Sequence, residues 1–182
     1  MSLKSERFFR GNTMRLTNLI PLKIGSLLLL SFCLSSCISV NLGPSPVTTA
    51  TDVSYTSPSS PFKEMASAPS ADKTWIHSKS KSIITYLSEC GDISHIRLKE
   101  AAATSFKAQD LKLIEQKSVT QSGQPALQSR GEPTDPKKNV MVEMINFKTK
   151  DCLFSLAFVA SKNHFDEDHP TFDQFLKSFK AP

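Results

Sequence analysis

Apolar positions divide the chain into three stretches of different rhythm. Ile24 to Leu34 is a continuous apolar run centred on Leu27, Leu28, Leu29 and Leu30. Residues 38–71 show no period and are rich in proline, serine and threonine. Residues 72–182 alternate between strand-like and helix-like spacing, and this is where a folded domain is expected. Trp75 opens that part as a large core anchor. Ser82 to Cys90 (SIITYLSEC) is rich in β-formers and predicts a strand, which Gly91-Asp92 breaks. Ser94 is placed to cap a helix running to about Lys107, with Leu98, Ala101, Ala102, Ser105 and Phe106 on its inward face.

Further strands are predicted over Leu111–Gln121, where Leu113 and Val119 flank a polar middle, and over Ala126–Arg130 after the turn Ser122-Gly123-Gln124-Pro125. Gly131 to Pro136 reads as a loop. Asn139–Lys148 and Cys152–Ser161, joined by Thr149-Lys150-Asp151, predict an antiparallel hairpin. The second of these strands is apolar on both faces, with Leu153, Ala157 and Val159 on one and Phe154, Leu156 and Phe158 on the other. Such a strand belongs in the middle of a sheet covered on both sides. The last element is a helix with Phe172, Phe175, Leu176 and Phe179 at i, i+3, i+4 and i+7 spacing. Pro170 suits its start, Thr171 and Gln174 fit a capping box, and Lys177 and Lys180 suit its C-terminal dipole. The fold class expected is α+β: an antiparallel sheet covered by helices, an α/β/α sandwich, preceded by a signal peptide and a disordered tether. No internal repeat or heptad pattern occurs.

The apolar run of residues 24–34 is too short for a bilayer core, which takes roughly 20 residues. Arg15 and Lys23 precede it and Leu34-Ser35-Ser36-Cys37 ends it, the order of a secretory signal. Met14 begins a better-proportioned signal than Met1. The tetrapeptide is similar to the lipobox of bacterial lipoproteins. It implies removal of residues 1–36 and lipid on Cys37, an anchor stable once more than one acyl chain is present. Ile38, rather than Asp, follows the cysteine, which by the same resemblance implies the outer membrane. Residues 37–71 are then a lipidated cysteine and tether, and 72–182 the globular domain. Five prolines and twelve serines and threonines fill half of residues 38–71, leaving little apolar surface to offset ordering. As a coil the tether would span roughly 30–35 Å. Val53, Tyr55 and Phe62 are its apolar points, either scattered linker residues or a docking segment.

Lys4, Arg7, Arg10, Arg15 and Lys23 against Glu6 account for +4 of the formal +5, so the part from Cys37 onward is nearly neutral at +1. Lys137-Lys138, Lys148 and Lys150 are small separated groups, and a nucleic-acid partner would need a clustered basic footprint. Beyond Cys33 in the apolar run and Cys37, Cys90 and Cys152 remain. An exported compartment permits their pairing, and they lie at the end and start of predicted strands. Two buried free thiols are the alternative. A zinc pair lacks neighbouring Cys or His at ligand spacing.

The layout TYLSEC (Thr85–Cys90), helix, SGQPALQSRGEP (Ser122–Pro133), KKNVMVEMINFKTKDCLFSLAFVA (Lys137–Ala160) and FDQFLKSF (Phe172–Phe179) resembles the PsbP-like fold of small bacterial lipoproteins. The resemblance implies an antiparallel sheet between helices and a non-catalytic binding or assembly role.

For chemistry, the densest polar cluster is His164-Phe165-Asp166-Glu167-Asp168-His169. His164, Asp166 and His169 could ligate a metal, but a solvated loop whose acids precede a helix start explains them better, and no metal or other cofactor is expected. No G-x-S-x-G elbow, phosphate-binding glycine loop, EF-hand or HExxH occurs. His77 and His95 sit in polar surroundings and read as surface residues. The expected function is therefore a lipid-anchored, non-catalytic binding or assembly module of the bacterial envelope, partnered by the membrane and by another envelope protein, with no nucleic acid. A periplasmic lipid or small-ligand carrier, its aromatic residues lining a cavity, and a small metal-dependent hydrolase are the alternatives.

Overall fold

The computed structural model describes residues 48–66, 71–93 and 95–182. The described elements run β1 Phe62–Glu64, β2 Lys73–His77, β3 Ile83–Cys90, α1 Leu98–Ala108, β4 Leu111–Gln121, β5 Gln124–Pro133, β6 Val140–Lys148, β7 Cys152–Ser161 and α2 Phe165–Ser178. The seven strands form one antiparallel sheet in the order β1-β2-β3-β7-β6-β5-β4.

β7 is the middle strand, and its side-chain alternation explains why. Phe154, Leu156 and Phe158 pack on one face with Phe172, Phe175 and Phe179 from α2 and the residue after it. Leu153 and Ala157 point the other way. Leu153 packs with Ile93, Ile96 and Ala101, and Ala157 with Phe106 and Met144. A strand apolar on both faces is satisfied only where both faces are covered, so α1 and α2 take opposite sides. The inward face expected for α1 holds: Ala101, Ala102, Ser105 and Phe106 are buried.

Three boundaries differ from expectation. β5 extends through Gly131 to Pro133, where a loop was expected. Gly131 makes this possible: a Cβ there would press into the Phe106 ring and stand 2.5 Å from the Lys112 carbonyl oxygen, so only glycine lets α1 lie so close. α1 begins at Leu98 with an extended Arg97 as its N-cap, and Ser94 lies outside the described residues. α2 begins at Phe165, five residues before Pro170, which sits inside the helix. Thr171 and Gln174 are therefore helix interior and form no capping box. As the sixth helical residue, Pro170 lacks the N–H that would bond the Asp166 carbonyl, so the helix forgoes that bond. Asp166, Glu167 and Asp168 fill the first turn, where the helix dipole favours negative charge.

The largest correction concerns the expected tether. Its described part, residues 48–66, is built onto the domain. Thr48 and Cys90 exchange backbone hydrogen bonds (3.3 and 2.8 Å), as do Ser54 and Lys180 (3.0 and 2.8 Å), and β1 pairs with β2. Tyr55 inserts its ring among Trp75, Tyr86 and Phe175, with centroids 5.5, 5.4 and 5.7 Å away. The apolar residues of this stretch thus find the burial that its composition alone did not promise. Residues 1–47, with the signal, the lipobox and Cys37, lie outside the described residues.

Cys90 and Cys152 form a disulfide, directly opposite each other on β3 and β7 with Cα atoms 4.0 Å apart. Both backbone groups of Cys90 are spent on Thr48, so the two cysteines form a non-hydrogen-bonded cross-strand pair, the closer of the two antiparallel kinds. The free-thiol alternative is thereby set aside.

Two outcomes follow for denaturation experiments. Phe175→Ala, which empties a fully packed ring site, should cost about 3–5 kcal/mol. Replacing both Cys90 and Cys152 by serine should cost about 4 kcal/mol in the chain-entropy description of a 62-residue separation. Chemical denaturation midpoints of each variant against the parent read both effects.

Candidate functional site

Two buried polar clusters lie beneath α2. In the first, Asp168 from the first turn of α2 reaches the β2–β3 hairpin. Its Oδ2 accepts hydrogen bonds from the hydroxyls of Ser80 and Ser82, each at 2.6 Å. His77, expected at the surface, is buried beside them, its Nε2 3.7 Å from Asp168 Oδ1. His77 Nδ1 accepts the backbone N–H groups of Lys79 (3.2 Å) and Ser80 (3.0 Å), which places its proton on Nε2. The residue types match a Ser-His-Asp hydrolase, but the connections do not. A nucleophilic serine must donate to the imidazole, whereas here both hydroxyls donate to the carboxylate and the base nitrogen is taken by the backbone. The cluster pins α2 to the hairpin.

In the second, Glu143 of β6 is fully buried and holds three neighbours. Gln128 donates to Oε1 at 2.6 Å, Arg130 donates to Oε2 through Nε (3.1 Å) and a terminal nitrogen (2.7 Å), and His169 Nε2 lies 3.2 Å from Oε1. Burial pushes the Glu143 carboxyl up, but the His169 and Arg130 bonds outweigh it and hold it below the ordinary carboxylate range. The Glu143 bond raises the His169 imidazole, against partial desolvation. Arg130 also stands over the Phe165 ring at 5.4 Å. This ion pair joins α2 to β5 and β6.

The two clusters decide where the expected metal ligands go. His164 stays outside and meets Glu167 at 3.0 Å. His169 turns inward to Glu143, with Asp173 3.3 Å from its Nδ1. Asp166 is exposed. The three share no common centre, and among the described residues no group of three or more His, Cys, Asp or Glu is arranged to hold a metal ion. Between the sheet and α2 the aromatic rings pack on one another: Phe158 stacks on Phe172 at 5.6 Å and Phe147 on Phe154 at 5.0 Å.

The accessible feature is elsewhere. β4 ends the sheet and runs for 11 residues, most of them exposed. Between it and α1 opens a groove of about 330 Å³ floored by Phe106 and Leu111, walled by Ala102, Ala103 and Leu113, with Lys107 and Asp110 on its rim. Leu113 and Ile114 are 45% and 52% exposed, the large hydrophobic residues that this domain presents to solvent. The ladder to β5 is irregular between Leu113 and Glu115, so Ile114 is an extra residue that projects from the strand. The sequence signal was the adjacent pair Leu113-Ile114 in an otherwise polar strand. The sequence marks Leu113 as a strand residue, and only the strand order places it on an open edge. An unpaired edge with apolar side chains is a ready template for another chain.

No protein-family model matches this chain, and no curated protein matches it in sequence. Among solved structures it is similar to cyanobacterial PsbP (CyanoP) from Synechocystis sp. PCC 6803, at 12% identity and a TM-score of 0.54, over 79% of this chain and 97% of that one. It is also similar to LpqN of Mycobacterium tuberculosis, described as involved in cell envelope biogenesis, at 11% identity and a TM-score of 0.52, over 78% and 88% of the two chains. These likenesses show a PsbP-like fold.

One buried acid generates a pH prediction. Glu89 on β3 is 6% exposed and its Oε2 has no hydrogen-bond partner. Burial, with the nearby Asp72 charge adding to it, pushes its carboxyl up to about 7. The folded state then holds this proton more tightly than the unfolded state does. Its contribution is complete below the ordinary glutamate range and is lost as pH rises to about 7. Glu89→Gln should therefore be more stable than the parent by roughly 2–3 kcal/mol above pH 8 and show a flatter stability profile between pH 4 and 7. Denaturation curves across that range test it; equal pH dependence in both proteins would show that Glu89 does not titrate as a buried acid.

Proposed function

We propose that this chain is a membrane-tethered, non-catalytic binding module of the bacterial cell envelope, and that its interaction surface is the β4 edge with the adjoining α1 groove. The observation that carries the reading is the exposure of Leu113 and Ile114 on an 11-residue edge that no further strand pairs with among the described residues, where the domain's other large apolar side chains are buried or half-buried. Extended partners bind such edges through main-chain hydrogen bonds, and side-chain pockets beside the edge supply selectivity. The polar clusters support the same reading, since their strongest hydrogen bonds join α2 to the sheet and leave no base aimed at a nucleophile. The lipobox ending in Cys37 supplies the attachment, and the envelope role described for LpqN, a protein of the same fold, agrees with that address. Residues 38–47 form the remaining reach between Cys37 and the first described residue, Thr48. Even fully extended, ten residues reach no more than about 36 Å, which keeps the domain near the membrane surface.

A photo-crosslinking residue at Leu113, in the full chain expressed in a bacterial envelope, should capture a defined protein. The same probe at Lys137, on the loop before β6, should capture little. Equal yields at the two positions would remove the assignment of this surface. Cys37→Ala should release the protein from membranes on fractionation, and a variant that remains lipid-labelled would remove the anchor.

A further inference from the structure

We infer that the occupant of the β4 edge is a second copy of this chain, bound antiparallel, β4 against β4, about a two-fold axis at Gln116. The inference rests on the reading of this edge as the interaction surface and names what binds there.

Three observations select a second copy. The first is the edge itself: β5 lies on one side of β4, and no strand lies on the other among the described residues. The second is charge. Lysines on an edge ordinarily discourage pairing, and Lys112 and Lys117 are both exposed here. In an antiparallel pair, opposed residues share a face of the sheet, so a two-fold axis perpendicular to the sheet must pass through one residue and its own copy. With that residue at Gln116, Glu115 of each copy opposes Lys117 of the other, and the pattern closes two ion pairs at once. An axis at Ser118 instead opposes Lys117 to Val119 and Glu115 to Gln121, and an axis at Lys117 opposes lysine to lysine. Glu115 and Lys117 lie on the same face as Arg130 and Gln128, their partners in the β4–β5 register, and Glu115 stands 4.0 Å from Arg130 with half of its side chain exposed. It is thus already turned toward positive charge with room for a second cation. The third is apolar cover. Beyond the Glu115–Lys117 pair the bulge leaves Leu113 and Ile114 of each copy together opposing Ser118 of the other, with Leu113 on the same face as Ser118, so the exposed hydrophobic residues lie beside the joint. The two α1 grooves then flank the joint, on one face of a continuous sheet.

An edge-to-edge joint of this length buries less surface than a stable globular interface commonly does. Association is therefore expected to be weak in dilute solution and stronger when both copies are held on one membrane, where tethering raises their effective concentration.

The register makes the test sharp. In full-length protein in its native membrane, Gln116→Cys should form an intermolecular disulfide under mild oxidation, seen as a species of twice the mass on a non-reducing gel, because residues opposed on the axis are about 5 Å apart. Thr120→Cys should not, because its two copies would be offset by roughly 27 Å. Without added cysteines, Lys117→Glu should weaken self-association in detergent about tenfold through two like-charge contacts, and the Glu115→Lys, Lys117→Glu double variant should restore it. Thermal melts confirm that each variant is folded. Absence of the Gln116→Cys dimer, equal crosslinking at Thr120→Cys, or failure of the double variant to recover would overturn the inference. Capture of a different envelope protein by the Leu113 probe, with no Gln116→Cys dimer, would overturn the second copy while retaining the binding surface. Loss of both signals would overturn both.

Discussion

A strand that is apolar on both faces can be stable in water only if something covers each face. β7 sets that condition here, since Phe154, Leu156 and Phe158 face one way and Leu153 and Ala157 the other. The rest of the architecture answers it. The sheet grows outward from β7 on both sides, β3 and β6 being its direct neighbours, and one helix settles on each face. Each large ring on the α2 side adds burial at roughly 25 cal/mol per Å², and ring pairs such as Phe158 with Phe172 add to it through their stacked geometry. The α1 side has one large ring, Phe106, packed with Met144 and Ala157, beside Ile93, Ile96, Ala101 and Leu153, and the missing Cβ of Gly131 lets Phe106 approach the sheet.

Polar groups inside this structure act as locators. Apolar packing alone would let α2 slide along the sheet, because one phenylalanine contact resembles the next. Asp168 fixes the first turn of α2 to Ser80 and Ser82, and His169 fixes the next residue to Glu143. Both acids are nearly or fully buried, and a buried charge is tolerated only when paired or hydrogen-bonded. Asp168 and His169 also show why the His- and Asp-rich run shares no common centre: its members are distributed between solvent and two different clusters. The N-terminal segment works in a comparable way. Tyr55 fills a ring site between β2, β3 and α2, while Thr48 and Ser54 add short backbone bridges at Cys90 and Lys180. Cys90, held by Thr48 on one side and by Cys152 on the other, is where that segment and the sheet centre meet.

The two ends of the sheet are unequal, and that asymmetry bears on function. β1 is three residues long, as protected edges often are, whereas β4 is eleven and carries Leu113 and Ile114 into solvent. Its bulge at Ile114 places an apolar residue where regular pairing would have put none. A long edge of alternating charge beside an apolar groove is suited to recognition by strand addition.

Sequence by itself determined the elements that depend on local periodicity. The alternation in Cys152–Ser161 gave the central strand, the helical spacing of Phe172, Phe175 and Phe179 gave the core face of α2, and the strand-end positions of Cys90 and Cys152 made their pairing reasonable. Those signals are strong because burial on a given face repeats every two or every 3.6 residues. Tertiary structure alone decided the rest. Proline and serine content marked residues 48–66 as linker, because composition cannot register that a single tyrosine has a ring-shaped site waiting across the fold. Gly131 looked like a loop glycine, and only the approach of Phe106 shows why a strand needs it. Leu113 looked like any strand residue until the strand order placed β4 at the edge. Each of these depends on what lies opposite a residue in space, which a linear pattern does not contain.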